Sequence, residues 1–218
     1  MKKLSVLVVM LLGLIALQTN AQLIISVTGG NPLSVGPGTA GFEFQVGAQP
    51  LTLATFGVLD EFNDGVLSSS HTVGLWDVSA QNLVAKTVVA PGSATLVNGF
   101  FYANLLTPVT LFAGHTYRLA VQYSDIDLDL ARGNVPQGGV SANSDITIKD
   151  AYLSSGSGFD YPNLNVSGAN LGFFGPNAGF TPVPEPAWAG AITAGALAAW
   201  AAIRRWKARQ AAGAAAAA

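Results

Sequence analysis

Phe42-Glu43-Phe44-Gln45-Val46 alternates apolar and polar side chains, and the same period of two returns at Arg118–Tyr123 and at Ile146–Lys149. Successive side chains of a strand point to opposite faces, so this alternation describes strands with one buried and one wetted face, as in antiparallel sheets. No stripe with the 3.6-residue helical period occurs between residues 22 and 186. Further strands are predicted at Leu23–Val27, Leu51–Val58, Thr72–Val78, Leu83–Val89, Ala94–Leu96, Phe100–Leu105 and Val109–Phe112. Turn formers separate them: Gly29-Gly30-Asn31-Pro32, Asn63-Asp64-Gly65, Pro91-Gly92, Asn98-Gly99 and Ala113-Gly114. The pattern predicts an all-β fold, an antiparallel, jelly-roll-like β-sandwich over residues 22–150. Phe44, Phe56, Trp76, Phe101 and Tyr117 are its expected core aromatics. Residues 151–182, with the Ser154-Ser155-Gly156-Ser157-Gly158 tract, read as a loop-rich end of the domain and a stalk.

The two ends are of another character. Met1-Lys2-Lys3 precedes fourteen uncharged apolar residues, Leu4 to Leu17, and small Thr19 and Ala21 stand at −3 and −1 of a cleavage position after Ala21. That is the layout of a signal peptide, residues 1–21, whose apolar core is short for a membrane span. Ala187 to Ile203 is uncharged for seventeen residues and leads into Arg204, Arg205, Lys207 and Arg209. As a helix it reaches about 25 Å, just enough for a bilayer core, and the basic cluster would act as a cytoplasmic stop. A single transmembrane helix is therefore expected here, leaving the body outside the cytoplasm. Residues 210–218 are a low-complexity alanine tail.

Ahead of that run stands Val183-Pro184-Glu185-Pro186, where two prolines two apart forbid helix and hold the chain extended. The order Pro-Glu-Pro, short apolar helix and arginine cluster over residues 183–209 resembles the PEP-CTERM sorting signal of bacterial exported proteins. The resemblance implies Pro184, Glu185 and Pro186 as recognised residues and a membrane enzyme, exosortase, as the partner that cuts near them. It also implies passage through the inner membrane to the cell surface or the exopolysaccharide (biofilm) matrix. In the body, Ser70-His71-Thr72-Val73-Gly74-Leu75-Trp76-Asp77 and Leu111-Phe112-Ala113-Gly114-His115-Thr116-Tyr117 resemble uncharacterised β-sandwich modules of bacterial surface proteins.

Between Gln22 and Val183 four basic residues face eleven acidic ones, a net of −7, which argues against nucleic-acid binding. There is no cysteine, hence no disulfide, thiolate metal site or cysteine nucleophile. Gly36-Pro37-Gly38-Thr39-Ala40-Gly41 spells G-x-G-x-x-G, but a strand pattern follows where the dinucleotide fingerprint needs a helix. Asp125, Asp127 and Asp129 would share one strand face as a candidate Ca²⁺ site. At about 7 Å spacing, a charged edge strand explains them more simply. Asp60-Glu61-Phe62-Asn63-Asp64-Gly65 reads as an Asp-Gly turn rather than an EF-hand loop. His71 and His115 have no catalytic motif around them: neither G-x-S-x-G nor H-E-x-x-H occurs. Tyr161, Phe173, Phe174 and Phe180 lie in loop-like sequence, where they either stack on sugars or pack back on the body.

The expectation is a non-enzymatic, surface-sorted protein with a structural or adhesive role in an extracellular polysaccharide matrix, with no cofactor required. A carbohydrate-binding module, Ca²⁺-assisted, is the alternative, and a secreted hydrolase the disfavoured third.

Overall fold

The computed structural model describes residues 22–125, 127–133, 135, 139–166 and 172–182, together with residues 200 and 204. The signal segment with Ala21, the Pro184-Glu185-Pro186 motif, Arg205, Lys207, Arg209 and the alanine tail lie outside the described residues, as does most of the expected transmembrane helix. Trp200 and Arg204 are helical and exposed, and the Arg204 guanidinium lies 4.6 Å from the Trp200 ring centre, the i,i+4 neighbourhood of a helix face. Among the described residues no helix is long and apolar enough to cross a membrane.

The described residues between Gln22 and Pro182 form one compact unit. It is all β, and every strand pairing described is antiparallel. The strands are β1 Gln22–Leu23, β2 Ile25–Val27, β3 Asn31–Leu33, β4 Gly38–Val46, β5 Leu51–Leu59, β6 His71–Asp77, β7 Asn82–Val89 and β8 Thr95–Val97. They continue with β9 Phe100–Leu111, β10 Thr116–Tyr123, β11 Ala131–Gly133, β12 Val140–Ala142, β13 Ile146–Leu153, β14 Leu164–Asn165 and β15 Pro176–Pro182. One sheet runs β1-β15-β5-β9-β8, the other β14-β13-β4-β10-β6-β7, and two ribbons pair β11 with β3 and β12 with β2.

The two large sheets feed one hydrophobic cluster, because each strand sends alternate apolar side chains to the same side. Ala40, Phe42 and Phe44 of β4 stand beside Val121, Leu119 and Tyr117 of β10, and Leu53, Phe56, Val58 and Leu111 come from the other sheet. Of the five expected core aromatics, Phe44, Phe56, Phe101 and Tyr117 lie in this cluster, while Trp76 is buried on the outer face of the six-stranded sheet instead. The Asn98-Gly99 turn joins the paired residues Val97 and Phe100, with φ of +50° and +78°. Positive φ at both positions is the type I′ hairpin geometry, which asparagine and glycine adopt at least cost. Gly99→Val is therefore expected to lose about 1 kcal/mol or more, and thermal melting should show a drop of about 2–4 °C.

Three departures from the sequence reading shape the fold. Phe100–Leu105 and Val109–Phe112 join into the single strand β9, because the ladder shifts register between Leu53 and Thr55 and the excess residues bulge out around Leu106 and Pro108. A bulge tolerates proline, which has no N–H to give a ladder. Residues 176–182, read as part of a stalk, form β15, which lies inside a sheet between β1 and β5. Residues 154–163 fold over the outer face of the six-stranded sheet. There Phe159 packs on Trp76 (5.0 Å between ring centres) in the space left by Gly74, and Tyr161 lies near Arg118. Arg118 is the pivot of this cover: its Nε donates to Glu43 (2.9 Å) across the ladder, and its Nη1 donates to the Pro162 carbonyl (2.6 Å).

Candidate functional site

Where β6 begins and β10 ends, the core meets the loops 60–70 and 124–130. His71 opens β6 on the inward face and is 1% exposed. β10 ends at Tyr123, and the chain then curls. Asp127 accepts amide hydrogen bonds from Ser124 (3.1 Å) and Asp129 (3.1 Å), a side-chain-capped turn that replaces further ladder pairing. This loop carries both carboxylates to the imidazole. Asp129 Oδ2 is 2.9 Å from His71 Nε2, and Asp127 Oδ2 is 3.6 Å from Nδ1, which also faces the Gln122 carbonyl at 3.3 Å. Asp129 further accepts from the Ser68 amide (2.9 and 3.0 Å to its two oxygens) and the Ser69 amide (3.0 Å). Ser69 Oγ lies 3.2 Å from His71 Nε2, 3.4 Å from Asp127 Oδ1 and 3.5 Å from Asp129 Oδ2.

Burial works against ionisation of Asp129. The His71 hydrogen bond and the two serine amides outweigh it and hold the carboxyl below its ordinary range. Tyr123 packs edge-on to His71 with ring centres 5.9 Å apart, and its buried hydroxyl has no hydrogen-bond partner. Burial, followed by the negative charges of Asp127, Asp129 and Glu61, pushes that phenol well above its usual range. A cleft of about 480 Å³ opens beside the cluster, lined by Ser69, Gln122, Tyr123, Asp125 and Asp127 among others. The charged residues among the described lining are Asp125 and Asp127, so the cleft is electronegative.

The expected trio of Asp125, Asp127 and Asp129 is thus corrected. The segment is not a strand, and Asp125 stands exposed at the cleft while Asp127 and Asp129 converge on His71. His115 is half exposed in the β9–β10 hairpin beside Asp77 (3.5 Å), at the far end of β10, roughly 25 Å away for eight strand residues. The serine, histidine and aspartates do not form a hydrolytic triad, since Ser69 and Asp129 compete for the same Nε2 and Asp129 is the nearer. Asp60 closes its own turn through the Asp64 and Gly65 amides, and Glu61 pairs with Arg132 at 2.8 Å. Phe173, Phe174 and Phe180, considered as sugar-stacking loop aromatics, are core residues.

A second cleft, of about 340 Å³, crosses the outer face of the five-stranded sheet. Leu23, Gly179, Thr55 and Asn104 form one cross-strand row, flanked by Tyr102, whose ring lies over Gly57, and by Thr95 and Val97. Its described lining carries no charged side chain. No protein-family model matches the chain, and no curated protein matches it.

Proposed function

We propose that this chain is an exported, surface-sorted, non-enzymatic protein with a structural or adhesive role in an extracellular polysaccharide matrix. The observation that carries the reading is the succession at residue 182. The compact β unit runs to Pro182, and Val183-Pro184-Glu185-Pro186, the uncharged run 187–203 and the basic cluster follow directly. Two antiparallel sheets around one core support the finer reading of the body as a jelly-roll-like sandwich, an architecture that holds its shape without disulfides in an export compartment. In this reading the membrane and exosortase are transient partners, and the mature protein leaves the inner membrane for the cell surface or matrix.

Intact mass of the protein from its native host, with membrane and medium analysed separately, tests it. Loss of residues 1–21 together with everything beyond about Pro186 is the expected result. A surface-exposed species that keeps residues 187–218 would make the C-terminal helix a plain anchor and remove the sorting proposal. Replacing Pro184, Glu185 and Pro186 with alanine should shift the protein from medium to membrane. Equal secretion of this variant would argue against recognition of the motif.

The uncharged outer-face cleft favours a second reading, neutral carbohydrate binding. Hydroxyl and amide side chains beside an aromatic ring suit a ligand with many hydroxyls and no charge. Thr95→Arg should abolish retardation of the protein in gels containing a neutral polysaccharide. Unretarded migration of the unsubstituted protein across a panel of neutral polysaccharides would remove this reading.

A further inference from the structure

We propose that His71, Asp127 and Asp129, with Ser69 Oγ as fourth donor, form a binding site for a first-row divalent cation of zinc type that fastens the loop 124–130 to the start of β6. One donor atom from each of His71, Asp127 and Asp129 lies within 4.8 Å of the others, and Ser69 Oγ approaches all three residues at 3.2–3.5 Å. Four ligands at zinc distances of about 2.0–2.1 Å stand about 3.3–3.4 Å apart at the corners of a tetrahedron, so the side chains already hold near-ligating separations.

The surrounding groups orient these donors as supporting groups orient metal ligands. Asp129 is held by the Ser68 and Ser69 amides, Asp127 by the Ser124 and Asp129 amides, and His71 Nδ1 faces the Gln122 carbonyl. His71 Nε2 stands 2.9 Å from the Asp129 carboxylate, and the proton held between them marks the place a divalent cation would take on displacing it. The charge balance agrees. Among the described residues, His71 is the ion-pair partner of both carboxylates, while Arg118 and Arg132 are engaged by Glu43 and Glu61. Two carboxylates at 4% and 7% side-chain exposure are neutralised by one divalent ion.

The electronegative cleft lined by Ser69, Asp125 and Asp127 gives a cation access to the cluster. Imidazole with so small a donor set selects zinc-type ions over Ca²⁺, which takes six to eight oxygens. The ion and the ligand set therefore differ from a Ca²⁺ site on Asp125, Asp127 and Asp129.

The test uses the full-length, untagged protein, stripped with EDTA and titrated with Zn²⁺, Co²⁺ and Ca²⁺ separately. One Zn²⁺ per chain should bind by calorimetry, and at a hundredfold excess over Kd the melting temperature should rise by about 5–10 °C. Co²⁺ should develop the intense visible band of four-coordination. Asp127→Asn should weaken Zn²⁺ binding tenfold or more, and Asp125→Asn should leave it unchanged. Should His71→Gln fail to fold, Ser69→Ala combined with Asp127→Asn addresses the same donors from the rim. A wild-type protein with the same melting temperature in EDTA and in Zn²⁺, and no heat of binding, overturns the proposal and leaves a metal-free imidazolium clamp. Equal loss on Asp125→Asn and Asp127→Asn would move the ion out of this site, and stabilisation by Ca²⁺ alone would overturn the assignment of its class.

Discussion

Arg118→Met is expected to destabilise the protein by about 3–5 kcal/mol, lowering the melting temperature by about 10 °C or more. Sequence alone offers no reason for so large an effect, since Arg118 occupies an outward position of β10. The structure supplies it. The guanidinium is sandwiched between the rings of Tyr152 (3.4 Å) and Tyr161 (4.9 Å), donates to Glu43 at 2.9 Å and donates to the Pro162 carbonyl at 2.6 Å. Its side chain is 10% exposed and that of Glu43 14%, so removal of the cation leaves a largely buried carboxylate and a buried carbonyl without partners. The cover formed by residues 154–163 then loses its strongest attachment to the sheet. Arg118→Lys keeps the charge but not the planar fork or the stacking, and should fall between wild type and Arg118→Met. Adding Glu43→Gln to Arg118→Met should recover part of the loss, because the stranded charge is its main source. A loss below 1 kcal/mol for Arg118→Met by chemical denaturation would instead class the pair with ordinary surface ion pairs.

Arg118 also shows where a sequence reading stops. The period of two identified β4, β10 and β13 correctly, because inward side chains such as Phe42, Phe44, Leu119 and Val121 are all apolar. It also implied that the alternate face is wet, and for β10 that face is covered by a segment whose Gly, Ser and Asn content gives no periodic signal. The turn dipeptides were legible because positive φ is a local demand that glycine and asparagine meet. The site was not legible. His71 and Asp129 are 58 residues apart in sequence, and only the pairing of β6 with β10 brings their surroundings together. The aspartates at 125, 127 and 129 misled for a local reason: Asp127 uses its carboxylate to cap the amides of Ser124 and Asp129, which ends the strand on which a shared face would depend. The Ser68 and Ser69 groups that hold Asp129 are backbone amides, which every non-proline residue carries, so they leave no mark in the sequence.

Phe174→Ala and Phe180→Ala should each cost about 3–5 kcal/mol, against about 0.5 kcal/mol or less for Leu106→Ala on the fully exposed bulge of β9. Both phenylalanines lie in the stretch whose composition suggests a stalk, where truncation of an aromatic would leave stability untouched. In the structure neither is exposed: Phe174 packs on Phe42 with ring centres 5.7 Å apart, and Phe180 sits in β15 opposite Leu53. A strand built from Pro176-Asn177-Ala178-Gly179-Phe180 survives in the sheet because its weak points are individually met. Asn177 is wholly buried, yet its amide accepts from the Ile25 N–H (3.2 Å) and donates to the Ile25 carbonyl (2.8 Å), so the side chain stands in for a neighbouring strand. Asn177→Ala would orphan both backbone groups of Ile25 and should cost about 2–3 kcal/mol, a loss that Asn177→Asp could not relieve because it keeps the acceptor and removes the donor. Equilibrium denaturation of the full chain distinguishes the two pictures of residues 172–182. Losses below 1 kcal/mol at Phe174, Phe180 and Asn177 together would return the segment to a stalk. Losses of the expected size would make the last strand before the Pro-Glu-Pro segment part of the core that any processing step has to leave intact.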